Sequence, residues 1–294
     1  MDADPDSCLL VDMGNQRLKW RLKRASRAIG AGQAQPPPAA EGVVSIRSGR
    51  PAEDETASGD LESPRTLDDG FPDIPSPGRI LVSAVSHSGA VEMFESWCHR
   101  RWGVTAELVA SEAEFDGMVN GYDDPSQLGC DRWLAALAAH RMICKEGGGE
   151  AAVVVDAGTA VTVDLVVRGR FAGGAILPGI ATMVRVLDRE TGRIRLETCR
   201  PAGGGNGDAE GVLPSPLATN SDDAVHAGAC HAVCGGVDRC IDGLRSREGL
   251  GARVPVLVTG GDAGTVAAGI RHPGEIRPNL VLDGLSLVAG ECRS

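Results

Sequence analysis

Two stretches far apart in the chain carry the same phrase. Residues 9–20 read LLVDMGNQRLKW and residues 153–164 read VVVDAGTAVTVD. Each is an apolar triplet followed by Asp, a small or flexible residue, Gly, and a polar residue able to hydrogen-bond. Such a pattern predicts a strand that ends in an aspartate and runs into a glycine-permitted hairpin turn. The turn presents backbone N–H groups and a side-chain amide or hydroxyl to anionic oxygens. A single Asp-x-Gly after a strand is ordinary turn chemistry. Two copies, each opening a comparable run of strands and helices, predict a duplicated architecture that grips a polyphosphate from both sides of a cleft.

Composition narrows the class. Length, 294 residues, suits one large or two modest domains at about 150 residues each. Hydrophobic residues make up 42%, with 40 glycines but only four Trp, four Phe and one Tyr, so the core is aliphatic and alanine-rich, as in α/β proteins. The net charge of -11 opposes non-specific binding to nucleic acid or anionic membrane. It leaves room for an anionic ligand held by local amides and one lysine. Nine cysteines without a framework spacing, behind an acidic start that lacks an apolar signal segment, predict reduced thiols and a cytoplasmic protein. No apolar run approaches the ~18 residues of a membrane span.

Along the chain, strands are expected at Cys8–Asp12, Leu18–Leu22 and 79–86, then a helix over 89–102 and a strand near 104–111. A helix follows from Cys130 to Lys145. Two strands joined by a tight turn, and a third ending at Pro178–Gly179, fill 151–179. Helices are expected at 180–190 and Asp222–Ser246, a strand at 254–261, and helices after Asp262 and at the C-terminal end. Residues 25–77 differ: rich in Pro, Gly, Ser and acids, they predict a long, partly disordered insertion around one short hairpin strand near VVSIR (43–47). The division read from this pattern is a first domain over 1–118, interrupted by the insertion, and a second over 119–294 whose terminal helix packs back on the first.

A third element, VTGGDAG (258–264), reads as a strand ending in an open Gly-Gly-Asp turn, suited to a flat purine ring or ribose. Together the three elements resemble the actin/hexokinase/Hsp70-like ATPases: α/β, two ribonuclease-H-like domains with a cleft between them. Within that superfamily, NGYDDPSQLGCDRWLAALAA (120–139) resembles the Y-x-x-P-x-x-L-G-x-D-R element of the type III pantothenate kinases. Further family elements follow in order: DMGNQRLK (12–19), DAGTAVTVD (156–164), GGAILPG (173–179), TNSDDAVHAG (219–228) and TGGDA (259–263).

The resemblance implies transfer of the ATP γ-phosphate to the terminal hydroxyl of pantothenate, the first step of coenzyme A synthesis. It places Asp131 as the catalytic aspartate that orients or deprotonates the hydroxyl. Gly129, Cys130, Arg132, Tyr122 and Ser221 fall in the substrate-binding elements. Asp12, Met13, Gly14, Asn15, Gln16 and Lys19 fall in the first ATP-binding loop, with Thr159, Gly260 and Gly261 completing the nucleotide site. Asp156 matches the position of a monovalent cation, K⁺ or NH₄⁺, and Mg²⁺ would arrive with ATP, held by Asp12 through water. A homodimer with the substrate site at the subunit interface is implied as well.

Plainer readings exist for several of these residues. Asp131 also suits the first turn of a helix by complementing its dipole. Arg132 and Lys19 could be solvated side chains, and Tyr122, the only tyrosine, a loop anchor. His226, Cys230 and Cys234 share one helical face and invite a zinc reading, against a small-residue face packed in a core. Gln16 stands where the family commonly has Thr or Ser, and Ser221 where it has Thr. A non-catalytic homologue acting as a regulatory binding protein, or a kinase of another small alcohol, are the alternative functions.

Overall fold

The computed structural model describes residues 3–15, 17–24, 40–45, 67–68, 70–84, 89–145, 149–191, 213–251 and 253–291. It contains two sheets. The first is built from β1 (Ala3–Met13), β2 (Arg17–Arg24), β3 (Ala40–Ser45), β4 (Ser76–Ala84) and β5 (Ala106–Leu108), in the order β3-β2-β1-β4-β5. β1 pairs antiparallel with β2 and parallel with β4, β2 antiparallel with β3, and β4 parallel with β5. The second contains β6 (Glu114–Phe115), β7 (Met118–Asn120), β8 (Ala151–Ala157), β9 (Ala160–Val167), β10 (Arg170–Pro178), β11 (Val256–Thr259) and β12 (Gly274–Ile276). Its order is β12-β11-β8-β9-β10-β7-β6.

Read outward from β8, the second sheet repeats the first. β8–β9 and β9–β10 are antiparallel, while β8–β11 and β11–β12 are parallel, the same senses in the same order. The duplication foreseen from the two phrases is therefore a duplication of topology, two ribonuclease-H-like sheets, and the fold is the actin-like ATPase fold. β6 and β7 are an addition at the β10 edge. β1 and β8 are the central strands. They are buried on both faces, which explains the unbroken apolar runs before each aspartate.

Six α-helices with defined bounds, α1 (Gly89–Trp102), α2 (Cys130–Lys145), α3 (Ile180–Thr191), α4 (Ser221–Arg247), α5 (Ala263–Gly269) and α6 (Leu280–Glu291), and a short 3-10 helix at Pro125–Gln127 lie among the described residues. The α-helices lie close to the segments expected from helical periodicity. The chain resolves into two compact units. One comprises Met1–Ser111, Ser126–Ala135 and Val281–Ser294; the other comprises Glu112–Pro125 and Ala136–Leu280. In the first unit, Gly284 of α6 rests on the backbone of Leu134 in α2, where a side chain would collide with the carbonyl. Residues 132–140 of α2 are buried without interruption, so its alanines permit close approach on every side.

The 25–77 stretch needs a correction where it is described. β3 extends the first sheet, as a hairpin strand should, but Leu67, Phe71 and Ile74 are core residues rather than part of a loose insertion. Phe71, 2% exposed, stacks on Trp20 at 5.2 Å between ring centroids and tilts onto Trp97 at 5.0 Å. The Trp97 indole N–H donates to Asp68 Oδ1 at 2.8 Å. Spacing of 67, 71 and 74 is itself helical, a signal hidden by the acidic, glycine-rich composition around it. Residues 25–39, 46–66 and 69, on which the expectation of disorder also fell, lie outside the described residues.

Removing the Phe71 ring deletes the centre of this aromatic cluster. Phe71→Ala should lower unfolding stability by about 3–5 kcal/mol in urea titration, the range for truncating a buried aromatic side chain. A loss under about 1 kcal/mol would mean that residues 67–77 are not part of the folded core.

Candidate active site

Several of the candidate side chains gather at the ends of the central strands, and each unit carries its own set. In the first unit, Asp12 sits one residue before the end of β1. Its register partners are Lys19 on β2 and Ser83 on β4, so all three project from the same face of the sheet. The loop after β1 is closed by the Gly14 N–H donating to the Arg17 carbonyl at 3.0 Å. Gly14 and Asn15 are exposed there, while Gln16 lies outside the described residues. Met13 turns away into the core.

The start of α2 lies beside Asp12. Cys130 is buried, and burial pushes its thiol up to about 12. The Ser83 hydroxyl opposes that rise, and the carboxylates of Asp131 and Asp12 add to it. A sulfur that feels both carboxylates places β1, β4 and the α2 N-terminus around one point. Asp131 folds its side chain back along the helix end, accepting from the Arg132 N–H at 2.7 Å. A Cβ on Gly129 would stand 2.7 Å from that same Oδ1, so glycine makes room for the carboxylate. Burial raises the Asp131 carboxyl above the usual aspartate range, and the Arg132 N–H and guanidinium only partly offset it. Arg132 is itself buried.

In the second unit Asp156 occupies the corresponding place on β8, with Thr162 on β9 and Thr259 on β11 as register partners. Here the loop is shorter: Ala157 pairs with Val161, whereas Met13 pairs with Leu18. The Gly158 N–H donates to the Ala160 carbonyl at 3.0 Å. The Thr159 carbonyl accepts from the Gly179 N–H at 3.0 Å and from Thr182 Oγ1 at 2.7 Å, which pins the loop to the α3 N-terminus. The Gly260 turn closes over Asp156. At φ +97 and with Asp156 Oδ1 2.6 Å from where a Cβ would be, position 260 admits only glycine without a shift. The Asp262 N–H then donates to the Ala157 carbonyl at 2.9 Å. Asp156, Thr159, Gly260 and Gly261 are thus brought to one edge.

Two predicted residues lie elsewhere in this unit. Tyr122 packs on Phe171 with ring centroids 5.8 Å apart, at the opposite end of β10 from the Asp156 loop. Ser221 opens α4 in an exposed position behind the N-cap Asn220, whose side chain accepts from the Asp223 N–H at 2.9 Å. Several organising residues escaped the sequence reading. Asn120 accepts from the Tyr122 N–H at 3.0 Å and donates to the Glu112 carbonyl at 3.1 Å, holding the loop before α2. Asp164, buried beneath β10, has its carboxylate where a Cβ on Gly174 would stand, which explains the second glycine of GGAILPG. Ser83 and Thr182 are short hydroxyls outside every motif, and Thr259, although it opens TGGDA, was given no role by the sequence reading.

Cys230 and Cys234 resolve the zinc question in favour of packing. Both are core residues, and burial pushes both thiols to about 11. Among the described residues no three His, Cys, Asp or Glu side chains converge as a metal cage. Asp12 and Asp156 are instead single carboxylates, each with a hydroxyl residue as its parallel-strand register partner.

Comparison with known proteins bears on this arrangement. A family model described as type III pantothenate kinase matches residues 8–243. The chain is 33% identical over 282 residues to a type III pantothenate kinase of Verminephrobacter eiseniae, covering 96% of both proteins. It is 34% identical over 278 residues to the protein of the same name from Halorhodospira halophila, covering 94% and 95%. Among solved structures, the ethanolamine utilization protein EutJ from Carboxydothermus hydrogenoformans is 12% identical with a TM-score of 0.49, over 96% and 89% of the two chains. That superposition is too loose to add to the strand order. A family match over most of the chain, with relatives above 30% identity end to end, settles the lineage: this chain belongs to the type III pantothenate kinase family.

Proposed function

We infer that the chain transfers the γ-phosphate of ATP to the terminal hydroxyl of pantothenate, giving 4′-phosphopantothenate and ADP. The observation that carries this is the Asp131 carboxyl, seated behind Gly129 at the first turn of α2 within influence of the same thiol as Asp12. Phosphoryl transfer through a loose transition state asks for a positioned alcohol, an acceptor for its proton, and neutralisation of the moving charge. Asp131 supplies the acceptor. The alcohol oxygen bonds to the γ-phosphorus, the bridging oxygen leaves with ADP, and the hydroxyl proton passes to Asp131 late in the step. Raised proton affinity makes this aspartate a better acceptor than an exposed one.

Arg132 with the Gly129–Cys130 turn, Tyr122 and Ser221 would position pantothenate. Asn15, Lys19 and the Gly14 and Gln16 loop of the first unit would hold phosphates, and Thr159, Gly260 and Gly261 of the second would contact the nucleotide. Mg²⁺ would be held by Asp12 through water, supplying charge neutralisation at the phosphates, and Asp156 would hold K⁺ or NH₄⁺. A homodimer, with the pantothenate site completed at the subunit interface, and a cytoplasmic setting follow the family resemblance. The described cysteines are all free thiols, and no described helix is long and apolar enough to cross a membrane.

The decisive assay incubates the protein with labelled ATP, Mg²⁺, K⁺ and a panel of small alcohols that includes pantothenate. Label should appear on pantothenate alone, and Asp131→Asn should reduce the rate by about 10²–10⁴-fold, the usual contribution of a general base. Label on a different alcohol, or equal rates for the variant, overturns the reading. Because only ionised Asp131 accepts a proton, kcat/KM should fall as pH drops through a value above the ordinary ~3.9 of aspartate.

Stability should move in the opposite direction to activity. A carboxyl raised in the folded state binds its proton more tightly there than in the unfolded chain. Its ionisation therefore costs stability, a cost that sets in as pH rises past the unfolded value and is complete above the folded one. Asp131→Asn should accordingly melt higher than wild type at neutral pH despite its lower rate; an equal or lower Tm would contradict the assigned burial cost. Replacing K⁺ by Na⁺ should slow the wild type, and Asp156→Asn should erase that difference. Equal wild-type rates in the two salts would remove the cation role.

A further inference from the structure

Ser83 has no part in the motifs, yet its position is hard to explain by packing alone. It ends the buried run of β4, is 1% exposed, and among the described residues its Oγ has no hydrogen-bond partner. A buried hydroxyl without a partner is unfavourable, and an alanine of nearly the same size would avoid the penalty. Two groups face it. Asp12 is its direct partner in the parallel β1–β4 ladder, so the two side chains stand on the same face. The Cys130 sulfur lies near enough to feel the hydroxyl, without the alignment of a hydrogen bond.

The second unit repeats the device. Thr259, 2% exposed, is the parallel-ladder partner of Asp156 on β11, the strand corresponding to β4. In both units, then, the strand-end aspartate has a buried hydroxyl on the neighbouring parallel strand. The two phrases of the sequence do not contain these hydroxyls; only the strand order places them.

We propose that Ser83 is a positioning residue for Asp12, its hydroxyl donating to the Asp12 carboxylate in the nucleotide-loaded state while accepting from the Cys130 thiol. A hydroxyl both donates and accepts, so one rotor can link the two groups. The link would orient the carboxylate toward the hydrated cation that accompanies the phosphates. A hydrogen bond gained to the Asp12 carboxylate would return part of the Ser83 burial penalty as binding affinity. This rests on the reading of Asp12 as the acidic residue of the nucleotide site.

The test measures binding of Mg²⁺ with a non-hydrolysable ATP analogue by calorimetry, so that phosphoryl transfer plays no part. Ser83→Ala should weaken binding about tenfold, one charge-assisted hydrogen bond. Its Tm without nucleotide should stay level or rise, and its nucleotide-induced Tm gain should shrink. Ser83→Thr, which keeps the hydroxyl, should bind within about threefold of wild type. In an Asp12→Asn background, Ser83→Ala should add no further loss. Wild-type affinity in Ser83→Ala, or weakened binding accompanied by a lower ligand-free Tm, would overturn the proposal. If Asp12→Asn itself binds like wild type, the nucleotide-site reading of Asp12 fails first. If Asp12→Asn weakens binding and Ser83→Ala does not, only the role of Ser83 fails.

Discussion

Each unit depends on a central strand whose two neighbours run in opposite senses. β1 and β8 pair antiparallel on one side through a tight hairpin and parallel on the other, across to β4 and β11. Burial on both faces demands apolar residues along the strand. The antiparallel partner demands a glycine turn at its end, and the parallel partner lays a second strand end alongside. An aspartate placed at that end therefore meets exposed backbone amides on one side and a neighbouring strand's hydroxyl on the other. The rest of each unit builds on that edge: the Gly260 turn over Asp156, and the α2 N-terminus beside Asp12.

The α2 helix turns this scaffold toward chemistry. Alanines along its buried length allow backbone-to-backbone approach, seen where Gly284 meets Leu134. Such packing removes water from the helix start, and desolvation is the largest influence on Asp131. Burial of a carboxylate there costs stability. Its three local compensations, the Arg132 N–H, the Arg132 charge and its own backbone N–H, reduce the penalty without cancelling it. Stability and proton-accepting power are thereby set against each other at one residue.

Much of this was readable beforehand, for physical reasons. Periodicity located α1, α2 and α4 to within a few residues because long helices with one consistent pattern leave little ambiguity. Core residues Leu67, Phe71 and Ile74 were missed because composition was averaged over a segment in which three apolar side chains carry the packing. The helical face of His226, Cys230 and Cys234 invites a metal reading, but its Ala/Gly texture and lack of paired zinc spacing favour a packed core. Burial among valines decides for the core. Gly174 gave no reason for itself until Asp164 was found lying against it.

From the sequence came the duplication and the identity of the strand-end aspartates, which follow from local patterns of an apolar run before a glycine turn, and the candidate roles of Asp131 and Arg132, which the family resemblance implies. Tertiary structure alone decided that Ser83 and Thr259 stand beside those aspartates, that Gly129 makes room for the Asp131 carboxylate and Gly260 for the Ala157 carbonyl and the Asp156 carboxylate, and that Tyr122 lies at the far end of β10 from the Asp156 loop. Side chains from strands separated by dozens of residues meet only through register and strand order, and neither leaves a mark in the adjacent sequence.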